Sequence, residues 1–423
     1  MQILDSPVTS RTVALSALPP LSLYVHIPWS VRKCPYCDFN SHEIKGSHGA
    51  DDSALLNLES GLEQGYIQAL ISDLDRALPQ VWGRPVYTMF FGGGTPSLLS
   101  ARGLDDLLSA IRARLPLAPD AEITLEANPG TFEARKFAEF RALGINRLSI
   151  GIQSFNPGHL KALGRIHDAA QARAAIEIAQ ASFDNFNLDL MYALPGQTVA
   201  QAVADIETAT GFAPAHISAY HLTIEPNTLF HRHPPEVPDD DTSADMQQAI
   251  ETSLAESGYR HYETSAFAKA GREARHNLNY WTFGDYLGIG AGAHGKLSFA
   301  DRILRQVRYK QPREYMEKAQ AGAALQQEQV VTVDDLPFEF MMNALRLTGG
   351  FELSLFAART GVSLHSLRKE LQEAESRGLI ERDHLRMQPT LKGQRFLNDL
   401  LQIFLPTSPR RADTLLTQSA DCG

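Results

Sequence analysis

The sequence predicts an α/β fold: an incomplete, partial (β/α)6 barrel followed by a mostly helical C-terminal domain. Three observations carry this reading. Short β-rich runs alternate with single amphipathic helices from Leu21 to Leu222, and such alternation implies right-handed crossovers and a parallel sheet. About six units of this kind are too few to close an eight-stranded ring. Beyond Phe299 the pattern turns helical and compact.

The strand candidates are Leu21–Ile27, Pro85–Phe91, Glu122–Ala127, Arg147–Ile152, Phe186–Met191 and His216–Leu222. Between them lie amphipathic stretches at Gly65–Leu78, Leu104–Leu115, Phe132–Leu143, Ala169–Ala181 and Ala200–Thr210. The polar stretch 42–57 reads as a surface insertion, and Glu225 to Asp241, rich in Pro, His and Asp, as a long excursion. Ser243–Ser257 is expected to be helical, Tyr259–Phe267 a strand, and His276–Gly295 a structured loop dense in glycine and aromatics.

Four segments follow: a flexible leader over 1–20, the barrel over 21–299, the helical domain over 300–406 and a disordered tail over 407–423. Within the third, Leu353–Arg359, Leu364–Arg377, Leu379–Ile380 and Leu391–Phe404 resemble a winged helix. From Glu352 to Pro406 there are eight Lys/Arg against seven Asp/Glu, which speaks against DNA binding.

The bulk properties exclude several classes. A chain of 423 residues has room for more than one domain. It is 43% hydrophobic and 21% charged, with mean hydropathy −0.21, and no apolar run reaches the ~20 residues of a membrane span. No basic stretch followed by an apolar core marks a secretion signal. A net charge of −10 and a pI near 5.8 argue against nucleic acid as a partner. The three cysteines, Cys34, Cys37 and Cys422, form no disulfide framework, which suits a reducing cytoplasm. Cys422 is expected to be a free, solvated thiol.

Chemistry concentrates where strands end. Cys34 and Cys37 share a tight loop after the first strand, a pattern that serves an iron–sulfur cluster, half a zinc site or a redox pair. The glycine run before Thr95 follows the second strand and suits a sharp turn or close approach to a ligand. Glu126 ends the third strand and Asp189 sits inside an apolar one; a buried carboxylate needs either a salt bridge or a ligand. His231 and His233 read as solvated, and His26 as a buried hydrogen-bonding residue.

Together these motifs resemble the radical S-adenosylmethionine (SAM) superfamily. The match is to the branch holding the oxygen-independent coproporphyrinogen III oxidases and the HemW heme chaperones. It is carried by Tyr24-Val-His-Ile-Pro-Trp, the cysteine loop through Phe39, Phe91-Gly-Gly-Gly-Thr-Pro96 and Ser149-Ile-Gly-Ile-Gln-Ser-Phe155. Further matches extend it from Leu21 to Phe404. The resemblance implies a radical SAM barrel and a [4Fe–4S] cluster whose electron cleaves SAM to a 5′-deoxyadenosyl radical. It implies SAM contacts from Tyr24, Gly93, Gly94, Thr95, Glu126, Gln153, Arg165 and Asp189.

Two details bear on the branch. Coproporphyrinogen oxidases carry a further cysteine where Phe39 stands, and His276-Asn-Leu-Asn-Tyr-Trp281 matches a signature of the HemW group. The resemblance therefore implies heme binding and transfer to an acceptor protein; oxidative decarboxylation of coproporphyrinogen is the alternative. His276 is either a heme ligand or a loop-ordering hydrogen-bonding residue. The acceptor is not named by the sequence, and a homodimer stays open.

One position departs from the family. The cluster loop there is Cys-x3-Cys-x2-Cys, and Ser30 stands where the first cysteine is expected. A serine oxygen is a hard ligand for a soft site. Ser30 is thus an isolated replacement, the mark of a protein that kept porphyrin binding without radical chemistry, or a ligand of a labile cluster. The fold is expected to survive in each case.

Overall fold

The structure, a computed structural model, describes residues 13–44, 58–130 and 136–406. The expected tail, Cys422 and most of the leader lie outside the described residues, as does most of the expected insertion. The strands in chain order are β1 (Leu21–Ile27), β2 (Trp29–Ser30), β3 (His42–Glu43), β4 (Val86–Gly93), β5 (Leu117–Ala127), β6 (Arg147–Gln153) and β7 (Phe186–Tyr192). There follow β8 (His216–His221), β9 (Arg260–Glu263), β10 (Ala266–Ala268), β11 (Asp285–Ile289), β12 (His294–Ser298), β13 (Ile303–Arg308) and β14 (Leu325–Val330).

Twelve of these strands form one sheet in the order β14-β13-β12-β11-β1-β4-β5-β6-β7-β8-β10-β9. From β11 to β8 every neighbouring pair is parallel, and the strands outside that span pair antiparallel. The curved parallel part is the incomplete barrel that the alternation predicts.

Strand β1 shows why. Leu21, Leu23, Val25 and Ile27 alternate with Ser22, Tyr24 and His26, so one face is apolar and the other polar. The apolar face joins a core with Tyr66, Leu70 and Leu74 of the helix Ser60–Val81. The polar face looks into the barrel. Helices start where local chemistry satisfies their free N–H groups: Asp168 with Gln171, and Thr198 with Gln201, form reciprocal capping pairs.

The expected loop 276–295 is instead a helix, Arg275–Trp281, then β11 and the start of β12. The glycines that suggested a loop permit close packing: a Cβ on Gly288 would collide with the carbonyl oxygen of His294. The expected strand 259–267 is a hairpin of β9 and β10, broken where Glu263 turns back to accept from the Ser265 N–H at 3.2 Å.

The sheet continues past residue 299 through β13 and β14. The remaining chain forms helices Leu336–Ala344, Leu353–Thr360, Arg368–Ser376, Leu391–Arg395 and Leu397–Gln402 around a small sheet. That sheet, ordered β15-β17-β16, comprises β15 (Phe351–Glu352), β16 (Ile380–Arg382) and β17 (Arg386–Pro389). Its core around Phe340, Phe356 and Met387 also takes in Val13 and Leu15 from the expected leader and Phe283 and Ile303 from the barrel side. Among the described residues no helix is long and apolar enough to cross a membrane.

Candidate functional site

The barrel is a cup. Tyr24, Phe90, Glu126, Gly151 and Asp189 lie on central, helix-backed strands, yet each is half-buried rather than sealed. Tyr220 on β8 is 41% exposed, so solvent reaches the inner face of these strands.

At the rim, Gly93 adopts φ +115°, a backbone region that L side chains avoid, and a Cβ there would lie 2.6 Å from the His26 ring. This turn aims the Gly93 N–H at Glu126 Oε2, 3.1 Å away. His26 donates from Nε2 to the Asn40 carbonyl at 3.0 Å and accepts from the Tyr24 hydroxyl at Nδ1, also at 3.0 Å. Burial pushes His26 down to about 4, so the ring stays neutral.

Glu126 and Asp189 give the cup an acidic wall. Desolvation, and then the charge of Asp189, push Glu126 up to about 8, against the Gly93 N–H. Burial likewise raises Asp189, although Ser149 and Asn187 donate to its two oxygens at 2.9 and 2.8 Å. Among the described residues neither carboxylate forms an ion pair. That donor set fits a cationic ligand such as the ammonium and sulfonium of SAM.

A second group converges beside it. Asn128 donates to Thr95 Oγ1 at 2.9 Å and accepts from Arg165 Nη2 at 2.8 Å. Arg165 Nη2 also reaches the Gly151 carbonyl at 2.9 Å, and its Nη1 lies 3.6 Å from Cys34 Sγ. Gln153 ends β6 at φ 65°, strained for a non-glycine residue, beside a register shift in β6. The turn brings its amide nitrogen within 2.8 Å of where a Gly151 Cβ would lie.

The cysteine loop is braced by the Cys37 N–H on the Cys34 carbonyl at 3.1 Å and by the Phe230 N–H on the Pro35 carbonyl at 3.0 Å. Both thiols are half-buried. Ser30 is buried in β2, its hydroxyl 2.9 Å from where a Cβ on Gly94 would lie. Among the described residues no three His, Cys, Asp or Glu side chains group to hold a metal. Two soft donors are present where a three-thiolate cluster needs a third.

His276 lies elsewhere. It sits 1% exposed on the helix Arg275–Trp281, with Nδ1 on Thr88 Oγ1 at 2.9 Å and Nε2 on Tyr280 Oη at 3.0 Å. Burial lowers it to about 3. With both nitrogens engaged, the geometry favours the hydrogen-bonding role over heme ligation. His231 and His233 are exposed, as expected. The bridging part of Asn128 between Thr95 and Arg165 was not legible beforehand; its one signal was its place between Ala127 and Pro129.

Barrel, cysteine loop and paired carboxylates define a radical SAM protein. The Radical SAM superfamily model matches residues 24–209, and that of the HemN C-terminal domain matches 331–396. In fold the chain is similar to the solved coproporphyrinogen III oxidase HemN of Escherichia coli, with TM-score 0.76 at 24% identity over 92% of this chain and 91% of that one. The Escherichia coli protein named heme chaperone HemW is 48% identical over 92% of this chain and 99% of its own length. HemW proteins of Haemophilus influenzae and Bacillus subtilis are 46% and 33% identical over 92% and 91% of this chain, and 98% and 99% of their own lengths. The chain belongs to the HemW family of the radical SAM superfamily.

Proposed function

We propose that this protein binds heme and passes it to an acceptor protein in the cytoplasm, with a [4Fe–4S] cluster and SAM governing the transfer. The observation that carries this reading is the near full-length match to proteins named heme chaperones. Tyr24, Gly93, Gly94, Thr95, Glu126, Gln153, Arg165 and Asp189 hold SAM: the carboxylates face its positive charges, and the glycine turn lets backbone approach its methionine part. Cys34 and Cys37 ligate iron, and Ser30 occupies the third ligand position. When bound, the cluster supplies the electron that cleaves SAM. Ser30 weakens its ligation, since a serine hydroxyl is far harder to deprotonate than a thiol. His276 braces the cup wall instead of ligating heme. We place the division between barrel and C-terminal domain near residue 331, where the large sheet ends.

The test is anaerobic iron–sulfide reconstitution of the protein beside Ser30→Cys, followed by hemin titration of both. The expected result is hemin binding by both forms, with about four irons and SAM cleavage only in the cysteine form. Hemin binding by neither form, or decarboxylation of coproporphyrinogen by the reconstituted cysteine form, overturns the reading.

A further inference from the structure

Arg147 opens β6 opposite Thr124 of β5 and is 2% exposed. It shares a strand face with Ser149, Gly151 and Gln153, the inner face of the cup. Among the described residues it forms no ion pair and donates no hydrogen bond, and its Nε is shut from solvent without an acceptor. Its charge is felt by Asp189, whose carboxyl it lowers, but no hydrogen bond joins the two, and a buried guanidinium without hydrogen-bond acceptors is costly. Thr124 Oγ1 beside it is also buried and unpartnered.

The nearby carboxylates take their hydrogen bonds from other groups. Glu122 accepts from the Arg275 and His276 N–H groups at 3.3 and 3.1 Å. Asp189 is held by Ser149 and Asn187. The nearby rings of His216 and His276 are neutral, each with both nitrogens bonded to protein. What remains is a planar fork of donors and one hydroxyl, below a wall of acid. That set matches a single carboxylate, whose one charge one guanidinium balances; a phosphate dianion would leave a second charge without a cation.

We propose that Arg147 anchors the carboxylate of a ligand that enters the cup from its open end. A heme propionate and a free small carboxylate share this chemistry; only the first rests on the function proposed above.

The test uses the full chain with Arg147→Gln and Arg147→Lys. Hemin, hemin dimethyl ester and glutarate are the probes, and thermal melting of the ligand-free protein is the control. For a propionate, wild type prefers hemin to its ester by about tenfold or more, Arg147→Gln loses the preference and Arg147→Lys keeps part of it. The ligand-free Arg147→Gln protein melts at or above the wild-type temperature, because a buried charge without hydrogen-bond acceptors has been removed. If hemin does not bind but glutarate raises the melting temperature only when Arg147 is present, the anchor stands and the heme reading fails. If Arg147→Gln responds like wild type to all three probes, the proposal is overturned. It is overturned equally if that variant melts several degrees lower with its ligand-induced shifts intact, since Arg147 would then be structural.

Discussion

Arg165 ties the cysteine loop to the barrel: one Nη lies 3.6 Å from Cys34 Sγ while the other holds Asn128 and the Gly151 carbonyl. A lysine keeps the charge but cannot span three partners. In a Ser30→Cys background, Arg165→Lys is expected to retain clearly less iron after desalting than its parent. Equal retention would show that the loop does not depend on the fork.

Glu126 is expected to make ligand affinity rise with pH. Pushed up to about 8, its carboxyl is mostly protonated at neutral pH in the free protein, and a cationic ligand needs it charged. SAM affinity is expected to increase several-fold from pH 7 to 8.5, bounded by about tenfold per pH unit. Calorimetry on Glu126→Gln should give a flat profile across that range. A flat wild-type profile would remove Glu126 as the counter-charge.

Gly93 and Gly61 offer a matched pair. Alanine at 93 must adopt φ +115° and place a Cβ 2.6 Å from the His26 ring, whereas nothing lies within 4 Å of a Cβ at Gly61. Gly93→Ala is expected to cost about 1–3 kcal/mol or more. Gly61→Ala, in the first turn of a helix, should be neutral or slightly stabilising. Urea denaturation of both decides it; a neutral Gly93→Ala would mean the rim turn relaxes freely.

Acid should destabilise the protein through His276. Its folded pKa of about 3 lies below the ordinary 6.5 of an unfolded chain, so below pH 6.5 the unfolded state takes up the proton first. Stability is fully present above pH 6.5 and is lost as pH falls toward 3, by about 1.4 kcal/mol per pH unit at full slope. His276→Gln is expected to be less stable at pH 7.5, where Thr88 and Tyr280 lose a partner, with a shallower decline toward pH 4.5. Parallel curves for the two proteins would show that His276 titrates normally.

Much of the barrel was legible because its signals are local. In β1 the alternation of Leu21, Leu23, Val25 and Ile27 with Ser22, Tyr24 and His26 already separates an outer face from an inner one. Cys34, Cys37, the Gly93 turn and Glu126 fall at or near strand ends, where a parallel barrel gathers its chemistry, and Asp189 stood out as a charge inside an apolar strand. Strand β11 was not legible: its glycines signalled a loop, and only pairing between Leu21 and Asp285, far apart in the chain, makes it a strand. The same holds for side chains whose meaning depends on a partner. The residue type at 276 allows a heme ligand, and Thr88 and Tyr280 take up both ring nitrogens. An arginine at 147 looks like any strand residue until the fold leaves it buried with no acceptor. Local periodicity determined which face each residue shows; long-range packing alone decided what that face meets, because hydrogen-bond partners are set by distance in space and not along the chain.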